Sequence, residues 1–124
     1  MSTDNHEGIN CPSEYLLALR DTMAVVNGKW KLLIVCSLFE EAKRFSEIGQ
    51  MIDISPRMLS KELKELELNG VVEKHIVSTT PVRIEYELTV SGKALGPLME
   101  KMVEWGLSHR KALNEQSRQT KKIA

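Results

Sequence analysis

A chain of 124 residues with 17 basic and 17 acidic side chains is long enough to bury one ordinary core and too short for a second. Aromatics are sparse at 5%, which argues against base stacking on single-stranded nucleic acid, and zero net charge removes the global field that marks many polyanion binders. No apolar run approaches the length of a membrane span, and the polar start Met1-Ser2-Thr3-Asp4-Asn5-His6-Glu7 lacks the basic and apolar regions of a signal peptide, so a cytoplasmic protein is expected.

The balanced charge is segregated along the chain: residues 1–26 carry one basic and four acidic groups, net −3, whereas residues 90–124 carry seven basic and three acidic, net +4. Binding to a polyanion depends on where positive groups face, so overall neutrality does not forbid it. Residues 1–10 are expected to form a disordered tail. Cys11-Pro12-Ser13-Glu14 then reads as a helix start, with Pro tolerated in the first turn and an acid near the positive end. Leu16, Leu19, Met23 and Val26 follow at helical spacing, and Asn27-Gly28 is a stop signal. A second helix is expected from Lys29 to about Phe39, with Trp30, Leu33 and Ile34 on one face and Trp30 assigned to the core. Cys36 lies inside this apolar stretch and is expected to be a buried, inert thiol.

Ser46 is expected to cap a short helix over residues 47–52, and Asp53-Ile54 a tight turn. The next helix has well-marked ends: Ser55 as cap, Pro56 in the first position, and Asn69-Gly70 at the close. At about 100° per residue, Arg57, Ser60, Lys61 and Lys64 gather on one side of it, and Leu59, Leu63 and Leu66 on the other. A DNA-reading helix needs that division, one face anchored in a core and the other offering Arg and Lys to phosphates and base edges. Any solvated surface helix shows the same pattern, so the neighbouring elements must decide. Two helices joined by a short turn make a helix-turn-helix.

After Gly70 the period changes to two. Ile84, Tyr86 and Leu88 face one way within residues 83–88, and residues 71–77 supply the partner strand. Between them Ser78-Thr79-Thr80-Pro81-Val82 is expected to project as a loop in which Pro81 stops the ladder, and a hairpin after a helix-turn-helix is a wing. Ser91 is expected to cap a last helix that Pro97 kinks and His109 ends, with residues 113–124 as a basic, frayed tail after a domain spanning 11–112. Leu95, Leu98, Met99, Met102 and Val103 form a wide stripe on it which, with Trp105, exceeds what so small a core needs. A homodimer joined through the first and last helices is therefore expected, against the alternative that the stripe packs within its own chain.

Catalysis and metal binding find no support. His6, His75 and His109 form no plausible nucleophile, base and acid set, and two distant Cys with three scattered His do not have zinc-ligand spacing. No cofactor is expected.

Together these segments resemble the HxlR-type winged helix-turn-helix transcriptional regulators, relatives of the MarR group. The likeness runs from about Cys11 to His109 and rests on Cys11-Pro12, Gly28-Lys29-Trp30-Lys31-Leu32-Leu33-Ile34, Arg44-Phe45-Ser46-Glu47-Ile48, residues 55–66, Gly70-Val71-Val72-Glu73-Lys74, residues 82–89 and Trp105-Gly106. It implies a mostly α fold with one small β-hairpin and dimerisation helices at both ends. It also implies a bacterial, non-catalytic homodimer that binds a pseudo-palindromic double-stranded DNA operator. By position, Ser55, Arg57, Met58, Ser60, Lys61 and Lys64 fall on the groove-facing helix, Thr79, Thr80 and Arg83 on or beside the wing, and Arg44 and Lys31 are candidate phosphate contacts. Arg57 and Ser60 are assigned to base edges, and Lys61, Lys64 and Arg83 to phosphates. Arg83 has a structural alternative, pairing with Glu85 or Glu73 across the sheet. Leu16, Leu19 and Met23 join the last-helix stripe as dimer contacts. Some members of the family sense oxidants or electrophiles through a Cys near the N-terminus, which makes Cys11 a candidate sensor beside the plainer reading of an unreactive helix-start residue; a bridge to Cys36 between subunits is left open, and no small-molecule effector can be named. The competing functional class is a winged-helix module that binds another protein and no DNA.

Overall fold

Apolar spacing changes from helical to alternating and back along this chain, and the architecture follows it. A computed structural model describes residues 13–123, the side chains of 120–123 excepted. In order the elements are α1 (Ser13–Val26), α2 (Lys31–Ser37), α3 (Phe45–Ile52), α4 (Pro56–Leu68), β1 (Val72–Thr79), β2 (Val82–Leu88), α5 (Val90–Lys93) and α6 (Gly96–Ile123). This is a winged helix-turn-helix. The expected tail and the helix start at Cys11-Pro12 lie outside the described residues.

The core sits where α2, α3, α4 and the base of the hairpin meet. Ile34, Val35, Ile48, Ile54, Leu59, Leu63, Leu66, Val71, Val72 and Leu88 form one buried cluster, with Trp30, Phe45 and Tyr86 packed against it. Trp30 is thus core, as its place on the apolar face suggests, although it precedes α2, and the Lys29 ammonium lies 4.6 Å from its ring centroid. By contrast, α1 buries only Val26.

Local chemistry sets the element ends. Helix α3 starts at Phe45, one residue before the expected cap: the Arg44 backbone N–H donates to the Glu47 carboxylate at 2.8 Å, so Ser46 is inside the helix. Asp53 closes α3 in the left-handed region at φ 57, which turns the chain sharply into α4. The hairpin pairs antiparallel from Val72↔Leu88 to Ile76↔Ile84, shifts register, and resumes at Ser78↔Arg83 and Thr79↔Val82. The ladder therefore reaches further than expected, and the projecting loop shrinks to a turn at Thr80-Pro81, with the Ser78 hydroxyl donating to the Pro81 carbonyl at 2.9 Å. Lys43 and Tyr86 exchange backbone hydrogen bonds of 3.0 and 2.8 Å, stitching the wing to the segment before α3.

Thr89, not Ser91, opens the C-terminal helices: its hydroxyl accepts from the Gly92 N–H at 3.0 Å and donates to the Gly70 carbonyl at 2.7 Å. A Cβ on Gly92 would collide with the Val71 carbonyl oxygen, so only glycine lets α5 lie so close to the hairpin base. Pro97 falls in the first turn of α6, where no intrahelical N–H bond is lost, so it starts this helix instead of kinking it. The helix runs on to Ile123, past the expected tail boundary, so His109 is mid-helix and stacks on Trp105 with centroids 4.5 Å apart.

Candidate nucleic-acid interface

Helix α4 shows its division of labour in its burial. Leu59, Leu63 and Leu66 are at most 2% exposed, while Arg57, Ser60, Lys61 and Lys64 face solvent. The Ser55 hydroxyl accepts from the Met58 N–H at 3.2 Å and Pro56 occupies the first turn, so the outward end of the helix is fixed by its own sequence. Met58 lies at the flank of the exposed face. Leu68 is 79% exposed and follows Arg57, Lys61 and Lys64 on the same side of the helix, an apolar member of that face that attention to charge alone overlooks.

Thr79, Thr80 and Arg83 are exposed at the far end of the hairpin. Arg83 stands opposite Ser78, and among the described residues it forms no ion pair with Glu85 or Glu73. Glu73 lies instead 2.9 Å from His75, which is also 3.2 Å from Glu87. The Arg44 side chain is exposed at the start of α3.

Lys31 overturns its assignment as a phosphate contact. It is 4% exposed, and its ammonium donates to Glu62 at 2.7 Å and Glu65 at 2.6 Å, across from α2 to α4. A cation enclosed between two carboxylates behind the helix cannot reach a ligand on the helix's outer side. Burial pulls the Lys31 pKa down, but the hydrogen bonds and charges of Glu62 and Glu65 outweigh it and hold the ammonium above its usual range. The Glu65 carboxyl is held below the usual range, chiefly by its hydrogen bond with Lys31 and then by that residue's charge.

The candidate dimer residues divide. Leu16, Leu19, Met23, Leu98, Met102, Val103 and Trp105 are between 44% and 66% exposed, whereas Leu95 and Met99 are half-buried against their own core. Part of the α6 stripe is therefore satisfied within the chain. Cys36 is also placed differently from expectation: α2 is a single short helix with the core on one side, and the thiol is exposed on the other. It lines an apolar groove of about 560 Å³ with Phe39, Met99 and Val103, edged by Glu100 and Glu104. Cys11 lies outside the described residues. Among those described, no group of three or more His, Cys, Asp or Glu is placed to hold a metal ion, and no helix is long and apolar enough to cross a membrane.

Residues 25–114 match the family model described as HxlR-like helix-turn-helix. The chain belongs to that family. This HxlR-like protein is 43% identical over 94 residues to YvaP of Bacillus subtilis (strain 168), named an uncharacterized HTH-type transcriptional regulator, covering 75% of this chain and 87% of YvaP. Its fold is similar to the crystal structure of a putative HTH-type transcriptional regulator, ytcD, with TM-score 0.72 and 33% identity over 75% of this chain and 96% of that one. It is equally similar to the redox regulator HypR in its reduced form, with TM-score 0.72 and 35% identity over 79% of this chain and 98% of that one. The HxlR-like chain is thus a transcriptional regulator of the helix-turn-helix type, and the relatives it matches are named transcriptional regulators.

Proposed function

We propose that this regulator binds double-stranded DNA as a homodimer, placing α4 in the major groove and the β1–β2 hairpin on the flanking backbone. The observation that carries this reading is the outward face of α4, where Arg57, Ser60, Lys61 and Lys64 stand free of the core that holds Leu59, Leu63 and Leu66. Arg57 and Ser60, near the N-terminal end, are assigned to base edges, and Lys61, Lys64, Arg83 and Arg44 to phosphates, with Ser55, Met58, Thr79 and Thr80 close by. The exposed apolar residues of α1 and α6 support a second copy as the cover for those helices, and a twofold pair suits half-sites about one turn of DNA apart.

Fluorescence anisotropy with duplexes enriched from a random pool tests the reading. Affinity should fall steeply with added salt, and sedimentation should give a species near twice the 14.1 kDa chain mass. Salt-insensitive association with a protein, and none with any duplex, would favour the protein-binding module instead.

A thiol response at Cys11, the residue that the family resemblance singles out, completes the proposal, supported by the likeness to the redox regulator HypR. Treatment with N-ethylmaleimide should release wild-type protein from DNA and leave Cys11→Ser bound. Equal release of both proteins would move the response to Cys36 or abolish it.

A further inference from the structure

We infer that Lys31 is a positioning residue for DNA recognition: held behind α4, it fixes the angle at which Arg57, Ser60, Lys61 and Lys64 are presented, without touching the duplex. This rests on the reading that α4 enters the groove. Three observations lead to it. The ammonium spans Glu62, on the buried side of α4, and Glu65, at the half-exposed edge of that side, so it grips two positions along the helix from one point on α2. The Glu62 side chain is 10% exposed, so its charge needs a partner at that place and no other. The remaining α2–α4 junction joins Ile34 and Val35 with Leu59, Leu63 and Leu66 in an apolar cluster, and apolar contact is non-directional.

Such a layer tolerates small sliding and rotation of a helix, whereas two charge-assisted hydrogen bonds of 2.6 and 2.7 Å to one ammonium select a single setting. Stability alone explains this arrangement poorly, because buried ion pairs can often be replaced by apolar residues of similar volume without loss. The side chains of α4 itself also balance, Arg57, Lys61 and Lys64 against Glu62, Glu65 and Glu67. Lys31 therefore neutralises acids that would otherwise stand close behind the proposed contact face.

The test compares the wild type with Lys31→Met and with a double replacement, Lys31→Met with Glu62→Met, which removes the tether and the buried charge together. Thermal melting reports folding, and anisotropy with a selected and a random duplex reports recognition. The double variant is expected to melt at or above the wild type, yet to lose about tenfold of its preference for the selected duplex, the size of one lost base contact. Its salt slope should stay at the wild-type value, since no phosphate contact is removed; a slope reduced by about one would restore Lys31 as a phosphate ligand and overturn the inference. A folded double variant with wild-type preference would also overturn it and leave the duplex reading intact. Failure of the wild type to select any duplex would overturn both. Should Lys31→Met prove too unstable to assay, the double variant and a Lys31→Arg replacement, expected to recover the preference at least in part, carry the test.

Discussion

The helix-turn-helix and the helices at the two ends of the chain solve the same problem differently. Leu66 in α4 is completely buried and Leu19 in α1 is 58% exposed, though both lie on an apolar stripe with helical spacing. The central elements supply one another with partners: the apolar faces of α2, α3, α4 and the hairpin close on a shared cluster, and the charge enclosed there is paired. The terminal helices carry equally apolar faces with less of the chain to cover them. Periodicity therefore says that a face wants burial, and says nothing of which molecule provides it.

The largest expected contrast comes from the buried charge. Lys31→Ala should cost about 3–5 kcal/mol in denaturant unfolding, because Glu62 is left charged and enclosed. A loss below about 1 kcal/mol, the scale of an exposed pair, would show that water reaches the carboxylate. Next, Leu66→Ala should cost about 2–5 kcal/mol, while Leu19→Ala should change unfolding of the dilute monomer by less than about 0.5 kcal/mol. The order should reverse in sedimentation equilibrium, where Leu19→Ala weakens self-association and Leu66→Ala affects it little in folded protein. Equal effects on both measurements would erase the distinction between the regions.

A smaller effect, about 1 kcal/mol, is expected for Ser55→Ala, which deprives the Met58 N–H of its capping oxygen; Ser46→Ala, within α3, should cost less. The pH dependence is the gentlest probe. Glu65 is held below its ordinary pKa, so its contribution is complete above the ordinary carboxylate range and is lost as pH falls toward the lowered value. Lys31 is held above its ordinary pKa, so its contribution is complete below the ordinary ammonium range and is lost only as pH rises through the raised value. Between these limits the junction should be insensitive to pH, and Glu65→Gln should flatten the acid side of the profile. An unchanged acid limb in that variant would assign the sensitivity to other carboxylates.

What could be read without coordinates was what neighbouring residues decide. Ser55-Pro56 and Asn69-Gly70 bracket α4 as expected because caps and stops act within a few positions. The strand alternation at Ile84, Tyr86 and Leu88 was legible for the same reason. Lys31 was misread because its partners lie 31 and 34 residues away, and an exposed-looking lysine carries no local mark of a distant carboxylate. Cys36 was misplaced because an apolar run does not reveal that α2 is short enough to leave one side uncovered. The wing is longer than the loop-like composition of residues 78–82 suggests, because Pro81 occupies only the turn and the ladder continues through Thr79 and Val82. Of the candidate contacts, those on α4 and the hairpin are each exposed, while Lys31 is buried.

Helix α6 extends for 28 residues, which at about 1.5 Å per residue makes a rod of about 42 Å. Its root is lodged where Gly96 meets the Phe39 ring, too close for a larger residue to enter without displacing that ring. So long an arm turns a small angular change at its base into a large sweep at its tip: a tilt of about 10° carries the far end through about 7 Å. A tilt of this arm about the Phe39 contact would thereby be magnified along its length.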